Sequence, residues 1–407
     1  MLRVINAMKT KILVVTSTFT SNESGAHSAR ATVKYLKILN YSVGVYAGDV
    51  GSNQYDTKEV AINQFKIPSK KSWHNFLYSP ILKADFKSIL NSFSPDYVLF
   101  VGGADSYKSL LSRIVRKQNI KTAFLFYIND FFCHLTYAGR SNGPCDACIR
   151  QPIIAPNYFG CVDLQQIPSL IYGVLRRYAL AREIRKADAV LSYGFTQAEL
   201  AEKFGVVKEK ISIVGFQFDP TDLKDVQISD EGYFALTGGS SVQKGWGNLS
   251  AILDKLESNL TVKVSFLTNE HAESALHKFN LKKYVDDGRL ELVIGLIDRA
   301  EYLKFIAASR AVLLPSYYNT TGEFVMLESM FLGKPIHAFN VGVHQDMLVD
   351  RENAMVSDIG EFDDFARKMD EVQRDEIIRR GLQLASSKMG VILFSGVKIE
   401  LLRKVFG

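Results

Sequence analysis

In PSYYNTTGEFVMLESMFLGKP, residues 315–335, one carboxylate sits where apolar side chains are expected. Phe324, Leu327, Glu328 and Phe331 recur at i, i+3, i+4 and i+7, so on a helix Glu328 shares a face with three large apolar groups. Burying a carboxylate without a partner is expensive, so Glu328 is expected to be ion-paired with a Lys or Arg, solvated, or bound to a ligand hydroxyl. A second stretch, LTGGSSVQKGWGNL (236–249), sets Gly238, Gly239, Ser240 and Lys244 at a helix entrance. Glycines with exposed backbone N–H groups and an adjacent cation are what a diphosphate needs. Neither the Walker A nor the G-x-G-x-x-G spacing is met, and a solvated helix lysine is the other reading of Lys244. A third, STFTSNESGAHSAR, offers Gly25 for close backbone approach to a phosphate, with His27 and Arg30 in the first helical turns; a capped turn fits equally. Cys133, Cys145, Cys148 and Cys161 fall at C-x11-C-x2-C-x12-C, a spacing open to a structural zinc site or to plain reduced thiols in a loop.

Anion loops of this kind work at the carboxyl ends of parallel strands. The pattern around them supplies such strands: KILVVTS, YSVGVYAG, DYVLFVGG, KTAFLFYI, ADAVLSYG and KISIVGF are near-continuous apolar runs separated by amphipathic stretches. After a polar break at FQFDPTDLKDVQISDEG, the alternation restarts with YFALTGG, TVKVSFLT, RLELVIGL, AVLLPS and KPIHAFNVG. The βαβα order predicts an α/β fold of two doubly wound, Rossmann-like domains facing a ligand cleft. The expected boundaries are 1–216, with a cysteine-containing insertion at 129–168, then 217–388, then 389–407 as helix returning to the first domain.

Composition limits the function classes. Hydrophobic residues at 47% and charged residues at 23% describe a folded globular chain. A net charge of +6, from 49 basic and 43 acidic residues, suits anionic small ligands or an acidic membrane surface better than sequence-specific nucleic-acid binding. No apolar run is long enough to span a bilayer. The N-terminal apolar stretch reads as a strand rather than a signal peptide, so the expected location is the cytosol. In PSLIYGVLRRYALAREIRKAD, Arg176, Arg177, Arg182, Arg185 and Lys186 lie on an otherwise apolar helix. The reading favoured is a helix packed on the sheet with a solvated basic edge; docking on anionic lipid is the other.

Taken in order, these stretches resemble the GT-B nucleotide-sugar glycosyltransferases of the family 4 type. Pro315-Ser316 through Leu327-Glu328-Ser329-Met330 to Gly333-Lys334-Pro335 is similar to that family's E-x7-E region. HAFNVGVHQDMLVDRENAMVSD and ADAVLSYGFTQAELAEKFGVVKEKISIVGFQFD are similar to the stretches that follow it and that close the first domain. The resemblance implies a retaining, metal-independent transfer with no cofactor, in which a nucleoside-diphosphate sugar is co-substrate. Glu328 would hold the ribose hydroxyls, and Gly25, Gly238, Gly239, Ser240 and Lys244 the diphosphate. Thr320, Thr321, Gly322, Glu323 and Phe324 would face the donor sugar. Asn129 and Asp130, with Lys244 the implied catalytic residues, would lie near the acceptor, with His27 and Arg30 on that side. The implied acceptor is a carbohydrate or a lipid-linked saccharide, as in surface polysaccharide synthesis.

The chain departs from the family pattern at several of these points. Thr320 stands where the first glutamate is usual, with Glu323 in the same loop. No arginine accompanies Lys244, Asn129 replaces a histidine, and Val343 replaces a glycine with Asp346 as the next acidic position. A nucleotide-sugar epimerase on the same fold and a catalytically degenerate binding subunit are the competing readings.

Overall fold

A computed structural model of the chain describes residues 9–20, 24–48, 61–64, 72–103, 105–127, 129–134, 138–140, 143–162, 167–237, 242–266, 268–295, 298–393 and 397–407. The apolar runs become short strands, the central ones buried on both faces. In chain order they are β1 (Lys11–Thr16), β2 (Ser42–Ala47), β3 (Ala61–Gln64), β4 (Tyr97–Val101), β5 (Lys121–Leu125), a two-strand hairpin β6 (Gly139–Arg140) and β7 (Gly143–Pro144), β8 (Ala189–Ser192) and β9 (Ile211–Ile213). All but the hairpin join one parallel sheet in the order β3-β2-β1-β4-β5-β8-β9. A second parallel sheet follows, with order β12-β11-β10-β13-β14-β15. Its strands are β10 (Phe234–Leu236), β11 (Val262–Phe266), β12 (Leu290–Ile294), β13 (Ala311–Leu314), β14 (Ile336–Phe339) and β15 (Met355–Ser357).

Strand order reverses beside β1 in the first sheet and beside β10 in the second. At such a switch point the loops leaving adjacent strands diverge to opposite faces and open a crevice. In the second sheet the flanking strands are β10 and β13, registered Leu236 to Leu313, so the two loops that matter leave neighbouring strand ends. Trp246, Leu249, Val262, Val264, Tyr284 and Phe365 pack a continuous core behind them.

The chain divides into two units, Met1–Thr136 with Asp146–Phe218 and Gly396–Gly407, and Tyr137–Cys145 with Asp219–Ser395. The cysteine-containing insertion expected in the first domain is therefore split. Residues 137–145 join the second unit because the Ala138 carbonyl accepts from the Asn319 backbone and side chain, and Gly139 lies directly against Tyr318. The helix Glu376–Leu393 stays in the second unit, packed on the helix Phe324–Phe331. Only the helix Val397–Phe406 joins the first, where Phe406 meets the rings of Tyr41 and Tyr97 edge-on. Among the described residues, no helix is long and apolar enough to cross a membrane.

Candidate functional site

In the second unit, Lys244 closes a short 3-10 turn, Val242–Lys244, and Gly245 opens the helix Trp246–Leu253 at φ +86°. A side chain at Gly245 would collide with the Pro315 carbonyl, its Cβ only 1.9 Å away, so glycine is what lets the loop after β10 lie on the loop after β13. Gly238, Gly239 and Ser240 fall outside the described residues.

Glu323 occupies the N-cap position of the helix Phe324–Phe331, yet its carboxylate caps nothing. It turns instead to Lys244, whose Nζ donates to Oε1 at 2.9 Å, and to the Ser316 hydroxyl, which donates to the same oxygen at 2.8 Å. The Glu323 side chain is 1% exposed and that of Lys244 25%. Burial alone would raise the Glu323 carboxyl; Lys244 and His344 hold it well below the usual carboxylate range. Lys244 is lifted above the ordinary lysine value, because Glu323 outweighs the burial that would lower it. The pair is fully ionised.

Glu328 is buried, as its helical position required, and it has an internal partner. Arg299 Nη1 reaches its Oε1 at 2.5 Å and the Tyr302 hydroxyl donates to Oε2 at 2.9 Å. Arg299 also binds Asp222 through Nε at 2.7 Å. Burial raises the Glu328 carboxyl despite Arg299, and burial with the neighbouring carboxylate raises the Tyr302 hydroxyl strongly. Each carboxylate oxygen keeps a second lone pair, so Glu328 can still accept from a diol. Arg299 escaped the sequence reading, which sought a cation beside Lys244. The available signal was Asp298-Arg299 at a helix start after β12, where Asp298 caps the helix and Arg299 is its first residue.

Thr320 faces the protein. Its hydroxyl accepts from the Val343 backbone at 3.1 Å, and Gly342 packs so tightly on it that a Cβ there would approach Thr320 N to 2.3 Å. Thr320 thus fixes the loop after β14. Thr321 is buried beside it, and Gly322 and Phe324 are partly buried.

In the first unit the predicted residues are structural in part. Gly25 makes room for Tyr127, whose hydroxyl would lie 2.4 Å from a Cβ there, and Gly102 on the neighbouring strand end does the same. Arg30 donates to the Phe19 carbonyl at 2.5 Å, and His27 is half-buried one turn earlier. Asn129 is buried, its carbonyl accepting from Phe132 and Cys133, and Asp130 is half-buried next to it. The polar cluster at this switch point is one the sequence reading missed: Asp105 binds Ser17, Tyr107 and, at 3.0 Å, Lys108.

Among the described residues no group of three or more His, Cys, Asp or Glu side chains is disposed to hold a metal ion, and no cysteine is in a disulfide. The helix Ile167–Lys186 also differs from expectation. Arg177 is buried and Glu183 is buried against Arg113 and Arg116, while Ile171, Tyr172, Leu175 and Tyr178 are exposed. The solvent face is apolar over its middle turns and basic at Arg182, Arg185 and Lys186.

Residues 289–388 match the family described as Glycosyl transferases group 1. That segment holds Arg299, Glu323, Glu328 and His344, but covers about a quarter of the chain. No curated protein matches in sequence. Among solved structures, sucrose-phosphate synthase from Thermosynechococcus elongatus is 15% identical with a TM-score of 0.68, over 98% of this chain and 99% of that one. A glycosyltransferase from Rickettsia africae is 14% identical at 0.68, over 98% of each chain. Anabaena HepE, solved with UDP and glucose, is 13% identical at 0.67, over 97% and 98%. The fold is GT-B.

Proposed function

We propose that this chain is a retaining glycosyltransferase that moves a sugar from a nucleoside-diphosphate donor to a carbohydrate or lipid-linked acceptor, in surface polysaccharide or glycoconjugate synthesis. The observation that carries the reading is the pairing of two buried glutamates with two cations at the switch point of the second sheet, both glutamates lying in a segment similar to group 1 glycosyl transferases. Glu328 accepts from the ribose diol. Lys244 and the loop after β10 take the diphosphate, and the charge that grows on it as the bond breaks is what a preorganised cation stabilises most.

In the transfer, the bond from the sugar C1 to the β-phosphate oxygen breaks and the acceptor oxygen bonds C1 on the same face. The acceptor proton passes to the departing phosphate. Lys244 supplies the charge that a metal ion would otherwise bring, so the reaction is proposed to need none. The exposed apolar side chains of the helix Ile167–Lys186, with its basic end, support a lipid-linked acceptor at the cytoplasmic face of a membrane.

Calorimetry with uridine, guanosine and adenosine diphosphates tests the donor site. One of them is expected to bind, with Glu328→Ala and Lys244→Met each weakening it at least tenfold. Unchanged binding in Glu328→Ala removes the site assignment. A second reading is favoured by Lys244 already being neutralised by Glu323: a binding subunit without transfer, which would bind nucleotide yet release no diphosphate from any donor.

A further inference from the structure

Arg176 and Arg177 are adjacent cations in the first unit, on the helix Ile167–Lys186, and both are withdrawn from solvent. Arg177 is 7% exposed, and its one hydrogen-bond partner among the described residues is a neutral acceptor, His134 Nδ1, at 3.5 Å from Nη2. Arg176 is half-buried, and its Nε is buried with no hydrogen-bond partner. Among the described residues neither guanidinium has a carboxylate within ion-pair distance. The one acid of the helix, Glu183, is taken by Arg113 and Arg116. Asp105 feels Arg176 but already binds Lys108 at 3.0 Å. Asp130, Cys133 and Cys148 each act on Arg177 less than Arg176 does, so burial and then Arg176 push Arg177 below the ordinary arginine value. Withdrawn cations without a counter-ion are costly, and an anion with several acceptor oxygens relieves that cost through bidentate contacts. Beside them the helix is apolar and open: Tyr172 stands one turn before Arg176, and Ile171, Leu175 and Tyr178 are exposed along the adjoining stripe.

We propose that Arg176 and Arg177, steadied by His134, bind the phosphate ester of a lipid-linked acceptor, whose apolar tail runs along Ile171, Leu175 and Tyr178. The proposal rests on the transferase reading only for calling this ligand an acceptor. The phosphate supplies the negative charge that the helix itself withholds from the two guanidiniums. The tail covers side chains that otherwise stand in water, so head and tail are recognised by one helix. Arg182, Arg185 and Lys186, exposed at the far end of the same helix, add attraction for an anionic bilayer surface.

Calorimetry with decyl phosphate, kept below its critical micelle concentration, tests the site. The parent should bind it, Arg176→Gln and Arg177→Met should each weaken binding by at least about tenfold, and Lys244→Met should bind as the parent does. Inorganic phosphate should depend on the same two arginines but bind at least about tenfold more weakly, since it leaves the apolar stripe bare. Inorganic phosphate binding as tightly as decyl phosphate overturns the lipid source in favour of a soluble phosphorylated sugar. No binding of either probe, equal binding in the arginine variants, or loss in Lys244→Met overturns the site. If decyl phosphate binds as expected but no nucleoside diphosphate does, the site stands and the donor reading fails. A second measurement needs no ligand. Because Arg177 lacks a counter-ion, ligand-free Arg177→Met should melt at or above the parent's temperature, whereas an arginine held in a structural ion pair would cost stability when removed. A lower melting temperature overturns the proposal. Should Arg177→Met not be recovered folded, Arg176→Gln, at a partly exposed position, decides by its decyl phosphate affinity.

Discussion

Glu328 and Arg299 show how one residue's burial sets another's task. Arg299 is 36% exposed and Glu328 1%, so the pair is anchored by its carboxylate end. Removing one member of a fully buried pair costs roughly 3–5 kcal/mol, and partial solvation of Arg299 should bring Arg299→Ala to about half of that in urea unfolding at pH 7.5. Without the guanidinium, burial raises the Glu328 value further above that of the unfolded chain. The neutral form is then favoured on folding, so the deficit should shrink as pH falls and persist above neutrality.

His337, in β14, titrates the other way. It is wedged near the Phe234 and Phe365 rings, neither ring nitrogen has a hydrogen-bond partner, and burial with Lys368 nearby pushes it down to about 3. Its folded value lies below the unfolded one of roughly 6.5, so its contribution is intact above that pH and lost as pH falls toward 3. His337→Leu should therefore lose less stability than the parent between pH 7 and pH 5, by about 2 kcal/mol in paired denaturation curves. The burial of Glu328 was legible in its spacing. Its partner was not, because Arg299 comes from another strand end, and long-range pairing leaves no local periodicity.

At the scale of elements, close backbone approach governs. The helix Glu376–Leu393 carries two glycines with opposite roles. At Gly390 a Cβ would stand 2.8 Å from the Met330 carbonyl, so the residue permits the contact with the helix that bears Glu328. At Gly381 it would meet nothing within 4 Å. Gly381→Ala should stabilise by about 0.5–1 kcal/mol through helix propensity alone, whereas Gly390→Ala should destabilise by about 1–3 kcal/mol through overpacking, both read from thermal melts. That both sheets are parallel was readable from apolar runs alternating with helices; the order of the strands within them was not. Nor was the hairpin β6–β7: its strands are two residues long, and what holds it is one carbonyl and the bare backbone of Gly139 against Tyr318.

For the whole molecule, the discontinuity of both units is the main consequence of the contact pattern. The helix Val397–Phe406 belongs to the first unit, with Leu402 and Phe406 buried. A chain ending at Ser395 should lower the melting of the first unit while the nucleotide-dependent stabilisation of the second persists, about 2.7 kcal/mol at a hundredfold excess over Kd. Calorimetry with and without nucleotide separates the two effects. The polar break near residue 220 is a local signal in the sequence. Which unit owns residues 137–145 was not legible there, since that depends on contacts with residues 318 and 319.

The same discontinuity sets a clock on synthesis. The strands of the first sheet are all made by Ile213, but the helix that meets Tyr41 and Tyr97 begins about 180 residues later, at Val397. At ribosomal speeds of roughly 5–20 residues per second, that leaves the surface around those tyrosines uncovered for about 10 to 40 s. The nascent first unit therefore carries an uncovered aromatic surface until the second unit has been made.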